Sequence, residues 1–206
     1  MAKKVKLTRP ELRRQRDDLD KFQRYLPMLE LKQQQLQLTL GEVVAALRKA
    51  REAVEQARAT LEPHRGILAD VAGVNVRELA KPEKVHTATK NVAGVRLPVF
   101  RSVDFAEVSY SLFATPAWVD RVLAELREIS RRQVEVEVLQ EQYDLLRREL
   151  TKIIQRVNLF DKVKIPEATE AIRVIRIRLG DEMTAGVGRA KIAKNKIEET
   201  ESEIYS

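Results

Sequence analysis

The chain has 206 residues, of which 33% are charged, 44% apolar and only 5% aromatic, with a formal net charge of +7. So few large aromatic side chains, with only 7 Gly and 7 Pro, argue against a compact core and for long helices carrying a narrow apolar seam. The absence of cysteine excludes disulfides and thiolate metal sites, and no apolar run approaches the roughly 20 residues that span a bilayer.

The first predicted element is a long helix. From Leu12 to Leu61 a heptad runs without a slip. One seam position takes Leu12, Leu19, Leu26, Gln33, Leu40, Leu47, Val54 and Leu61. The other takes Gln15, Phe22, Leu29, Leu36, Val43, Ala50 and Ala57. A 3.5-residue repeat sustained over about seven heptads means a left-handed coiled coil. Pro27 and Gly41 fall beside the seam, on its outer side, and Pro27 predicts a kink there and not a break. Pro63 and Gly66 end the helix.

A segment of different character follows, with Pro82, Pro98, Gly73 and Gly94 in it. Ile67 to Leu79 reads as a short helix with a weak seam, and Val92 to Val108, rich in β-branched residues and Phe, reads as a small β-hairpin. A lone hairpin is marginal in water, so this piece is expected to rest on the coiled coil or on a partner.

Thr115 and Pro116 open a second long helix as N-cap and first-turn residue. Its seam reads Val119, Val122, Leu126, Ile129, Gln133, Val136, Leu139, Tyr143, Leu146, Leu150, Ile153, Val157 and Phe160. Pro166 interrupts, and Ile172, Ile175, Leu179 and Met183 resume the pattern. Two long helices separated by an insert fold back as an antiparallel pair. The expected fold is therefore all-α: an antiparallel two-helix coiled coil of residues 1–62 and 116–197, an insert at 63–115, and a disordered acidic tail at 198–206. Pairing Leu61 with Val119 sets Leu12 near Ala168, so the second helix would protrude with Ile172, Ile175 and Leu179 uncovered. Such a stripe is costly in water and calls for a socket in another protein.

Basic residues collect at both ends of the chain, from Lys3 to Arg16 and from Arg173 to Lys196. Solvated helix faces are the plain reading, and an acidic partner the sharper one. Nothing in the sequence signals catalysis. The glycines form no phosphate-cradling loop, His64 and His86 lack the spacing of a metal pair, and no carboxylates or hydroxyls fall into a catalytic pattern. Tyr25, Tyr110, Tyr143 and Trp118 are too dispersed to stack nucleobases. No cofactor is expected. The start Met1-Ala2-Lys3-Lys4 leads into no apolar stretch, so a cytoplasmic protein, at most peripheral to a membrane, is expected.

Three local patterns resemble one family. Thr8-Arg9 with Leu12, and Leu29-Glu30-Leu31-Lys32 with Leu36, are similar to the opening helix of the D subunits of V/A-type rotary ATPases. Asn91-Val92-Ala93-Gly94-Val95-Arg96-Leu97-Pro98 resembles that family's hairpin signature, with Asn91, Gly94 and Pro98 as its marks. Arg156-Val157-Asn158, then Ile165-Pro166, resembles its most recognisable stretch. The resemblance implies a non-catalytic central-stalk rotor component of a membrane-peripheral complex. Its termini would enter the ring of catalytic A and B subunits, its middle would face the socket subunit of the membrane rotor, and the small F subunit would bind its side. Torque would then couple ATP synthesis or hydrolysis to ion transport, without direct membrane insertion or nucleic acid. Pro27, Gly180, Gly186 and Gly188 depart from that family's usual pattern.

The competing reading is a generic coiled-coil scaffold or tether, which would pair the same seam in a parallel homodimer. The Pro-containing insert between two complementary seams favours the intramolecular pair.

Overall fold

The computed structural model describes residues 6–64, 66, 75–107, 115–116 and 118–204, with side chains as far as Glu198. Helix α1 spans Arg9–Leu61 and ends in a 3-10 turn at Glu62–His64. Then come the short helix α2 (Val76–Leu79), strands β1 (Pro82–Val92) and β2 (Val95–Phe105), and helix α3 (Trp118–Leu159). A π turn at Phe160–Lys164 leads directly into α4 (Ile165–Ile204). This is an antiparallel coiled coil of two long helical stretches with an insert holding a short helix and a hairpin. Of the helix expected over Ile67–Leu79, the part before Asn75 lies outside the described residues.

The chain divides into two compact units, Lys32–Ile153 and the pair of segments Met1–Leu31 with Ile154–Ser206. In the Lys32–Ile153 unit, Leu61 packs on a buried cluster of Val76, Ala80, Val119, Val122 and Leu123, joining the end of α1 to α2 and the start of α3. Further along, Arg51 Nη2 donates to Gln140 Oε1 at 3.0 Å. Descending numbers on α1 therefore meet ascending numbers on α3, and the pair is antiparallel. Equal counting from Leu61 and Val119 would put Arg51 opposite Ile129, yet it reaches Gln140. No tight turn joins the helices, so nothing holds their ends level.

In the terminal unit Phe22 and Phe160 meet with ring centroids 5.2 Å apart. Arg16, Leu19 and Gln23 border one groove with Thr169, Ile172 and Arg176. Arg9, at the very start of α1, shares another with Arg178, Leu179, Glu182, Met183 and Arg189. The expected placement of Leu12 near Ala168 is thus corrected: Ile172 is 7% exposed, Ile175 0%, and Leu179 half-buried, all covered rather than protruding.

α1 passes through Pro27 without a break. Pro166 does not interrupt its helix either. Its ring would clash with the carbonyl of residue 162 in a regular α-turn, and the preceding turn widens instead, with the Ile165 N–H donating to Phe160 O. Helix continues through Gly180, Gly186 and Gly188, and α4 runs on to Ile204, past Glu198 where disorder was expected. A 40-residue helix tolerates a scattered cost of about 1 kcal/mol per glycine.

The hairpin begins ten residues earlier than expected, at Pro82 rather than Val92. The stretch read as the whole hairpin supplies only its turn and second strand. β1 buries no residue and is half-buried only at His86, Ala88 and Val92, so it carries no apolar alternation to betray it. Ala93 (φ 50°) and Gly94 (φ 81°) link Val92 to Val95 as a two-residue turn. Two positive φ values match the right-handed twist of the strands, the arrangement that Asn-Gly favours. Ala in this conformation costs roughly 1 kcal/mol or more. Ala93→Asn is therefore expected to stabilise the hairpin by about 0.5–1 kcal/mol, seen as slower hydrogen exchange across β1 and β2. Faster exchange would show that the turn is not limited by Ala93.

Candidate functional site

The hairpin sits on α3. Leu97 is 2% exposed, and Val103 packs with Val134 and Val138, flanked by Phe100 and Phe105. The Gln142 side-chain amide donates to Pro98 O at 2.5 Å. A proline at 98 adds no N–H to this contact, and its free carbonyl is what Gln142 captures. At the hairpin's base, Arg127 donates from Nε to Leu79 O (3.2 Å) and from Nη2 to Ala106 O (2.7 Å). Its guanidinium also lies 5.2 Å from the Phe105 ring centre. One side chain thus ties α2 and the end of β2 to α3. Close by, His64 Nδ1 and Glu125 Oε2 lie 3.3 Å apart without hydrogen-bond alignment, and Glu125 also faces Arg121.

The seam residues fall as follows. Leu36, Leu47, Leu146 and Ile153 are buried; Leu19, Leu26, Leu29, Leu40, Leu126, Ile129, Tyr143, Leu150 and Val157 are half-buried. Gln133 is exposed. Leu123, Val134, Val138 and Gln142 are buried although none belongs to the predicted seam. α3 carries two contact faces, one for α1 and one for the insert. The Val134, Val138, Gln142 spacing of four residues is the signal for the second face. Of the motif residues, Asn91 and Gly94 are exposed at the hairpin turn and Pro98 is half-buried. Arg156, Asn158 and Pro166 are exposed, with Ile165 half-buried, around the π turn.

The terminal unit presents a different surface. Arg178 pairs with Glu182, and Arg173 grips Glu170 through two bonds of 2.7 and 2.8 Å. That hydrogen bonding by Arg173 holds the Glu170 carboxyl below its ordinary range. Beyond this, large apolar side chains stand in the open: Met183 is 62% exposed, Val187 70%, Ile192 61% and Ile197 58%. At 100° per residue, Met183, Val187 and Ile197 lie within an arc of about 80°, with Ile192 on the opposite side. The helix end is apolar on two sides. Among the described residues no group of three or more His, Asp or Glu is placed to hold a metal, and no helix is long and apolar enough to cross a membrane.

A family model for the ATP synthase D subunit matches residues 11–195. The chain is similar to the V-type ATP synthase D subunit of Borreliella burgdorferi, with 35% identity covering 94% of this chain and 95% of that one. It is also similar to the proteins of the same name from Chlamydia caviae, 36% identical over 98% of both chains, and Chlamydia felis, 34% identical over 98% of both.

Proposed function

The chain belongs to the ATP synthase D-subunit family, and from that premise we propose that it is a non-catalytic central-stalk component of a rotary ATPase. It transmits torque between a catalytic A/B ring and the membrane rotor, coupling ATP synthesis or hydrolysis to ion transport. The long helical pair is the shaft. The insert, residues 63–115, faces the socket subunit of the rotor, and the small F subunit binds the side of the coiled coil. The complex is peripheral to the membrane on the cytoplasmic side.

The observation that carries this reading is the end of α4. It remains helical to Ile204 while exposing Met183, Val187, Ile192 and Ile197 on two sides. A helix apolar on two sides is stable only inside something else, and the bore of a catalytic ring is such a sleeve. In the generic scaffold reading the seam would pair between chains; here the two seams cover each other within one chain as far as Leu179, so a monomer in sedimentation supports the stalk assignment.

Truncation after Arg189 provides the direct test, since it spares every residue that meets Arg9. The truncated chain is expected to melt like the full one and to assemble into a complex that still hydrolyses ATP but loses most ATP-driven ion transport. Full coupling by the truncated chain would remove the torque-bearing role from this end.

A further inference from the structure

Each long helical stretch of the terminal unit has one defect in its backbone ladder. On α1 it is Pro27, which has no N–H to offer the carbonyl of Gln23. On the other stretch it is the π turn at Phe160–Lys164, followed by Pro166, which likewise has no N–H. The contact between Phe22 and Phe160 fixes their relative height. Pro27 is five residues along α1 from Phe22, about 7.5 Å at a rise of 1.5 Å per residue. The two defects therefore lie within about two helical turns of each other.

Packing is thin at the same level. No residue of the π turn is buried, and α1 has no buried residue before Leu36. Leu159 and Val163 are 43% and 39% exposed, so apolar side chains there gain little from the partner helix. On α4, burial resumes at Ala168.

A single ladder defect in a two-helix pair is splinted by the intact partner, which must stretch its own bonds if the pair is to bend. Two defects within about two turns of each other remove the splint. We propose that Pro27 and the π turn form one two-sided joint, at which the paired helices of the terminal unit bend and twist together. The joint is a property of the chain itself and does not depend on the stalk assignment. For a torque-bearing pair it sets where twist is stored.

Local opening is read by hydrogen exchange on the intact full-length chain, with the amides of residues 36–47 as internal reference. Amides of residues 22–31 and 160–168 are expected to exchange roughly ten-fold or more faster than that reference. Pro27→Ala restores the missing donor on α1. It is expected to slow exchange on both helices, at 22–31 and also at 160–168, several-fold relative to the reference. Pro166→Ala should act in the converse sense, slowing residues 22–31 as well as its own. A variant that merely stabilises the whole fold would slow the reference equally and so leave the ratios unchanged. Unchanged ratios, or slowing confined to the mutated helix, would overturn the joint: the two defects would then open independently.

Discussion

Leu47→Asp is expected to cost the chain most of its folded population near neutral pH. Leu47 is 7% exposed on the apolar seam of α1. Removing its side chain alone, as in Leu47→Ala, costs about 2–5 kcal/mol through lost burial and the cavity left behind. An aspartate adds an unpaired charge in an apolar interface, worth several kcal/mol more. The sum rivals the whole stability of a typical domain, about 5–15 kcal/mol. Gln33 offers the opposite case on the same seam, since it is half-buried and polar among leucines. Gln33→Leu should be neutral or stabilising. A circular-dichroism melt giving the reverse order would show that the heptad is out of register. Acid provides a second check. Burial raises the folded-state pKa of the introduced carboxyl above its unfolded value near 3.9, so its penalty grows as pH rises above that value. Lowering the pH to about 4 should bring Leu47→Asp towards Leu47→Ala measured at the same pH.

The register of α1 was legible because one physical rule governs it. Every seam position from Leu12 to Leu61 is at least half-buried, whereas the off-seam Met28, Leu31, Leu38 and Val44 are exposed despite being apolar. α3 was legible only in part. A helix packed on two sides mixes two periodicities, and following one hid Val134, Val138 and Gln142. β1 escaped for the opposite reason, since it buries too little to alternate. The stagger of the helices was not legible from seam patterns at all. Heptads fix which residues face the partner, not how far one helix slides along it; the stagger shows in contacts such as Arg51 with Gln140. Arg127 was equally hidden, because among so many arginines nothing local distinguishes one whose partners are backbone carbonyls 48 and 21 residues away.

Arg127 carries the second large effect. Its two donated bonds fall on the carbonyls of Leu79 and Ala106, and each bond from a charged donor is worth about 1.5–3 kcal/mol. The contact with the Phe105 ring adds roughly 0.5–2 kcal/mol. Arg127→Met keeps the apolar stem but strands both part-buried acceptors, and should cost about 3–5 kcal/mol. Arg127→Lys keeps the charge, but its compact ammonium cannot span two carbonyls as a planar fork does. It should recover less than half of the loss. The damage should be local: amides of 82–105 should lose hydrogen-exchange protection while those of 36–54 on α1 keep theirs. If the hairpin opens first, unfolding in denaturant should split into two steps. A Met variant that melts in one step at the wild-type midpoint would show that the hairpin is held by Gln142 and the Val103 cluster alone. If the insert meets the rotor, as proposed above, the clamp stands in the path of torque. Arg127→Met should then weaken coupling while leaving ATP hydrolysis intact, the same functional signature as truncating α4 but arising at the insert.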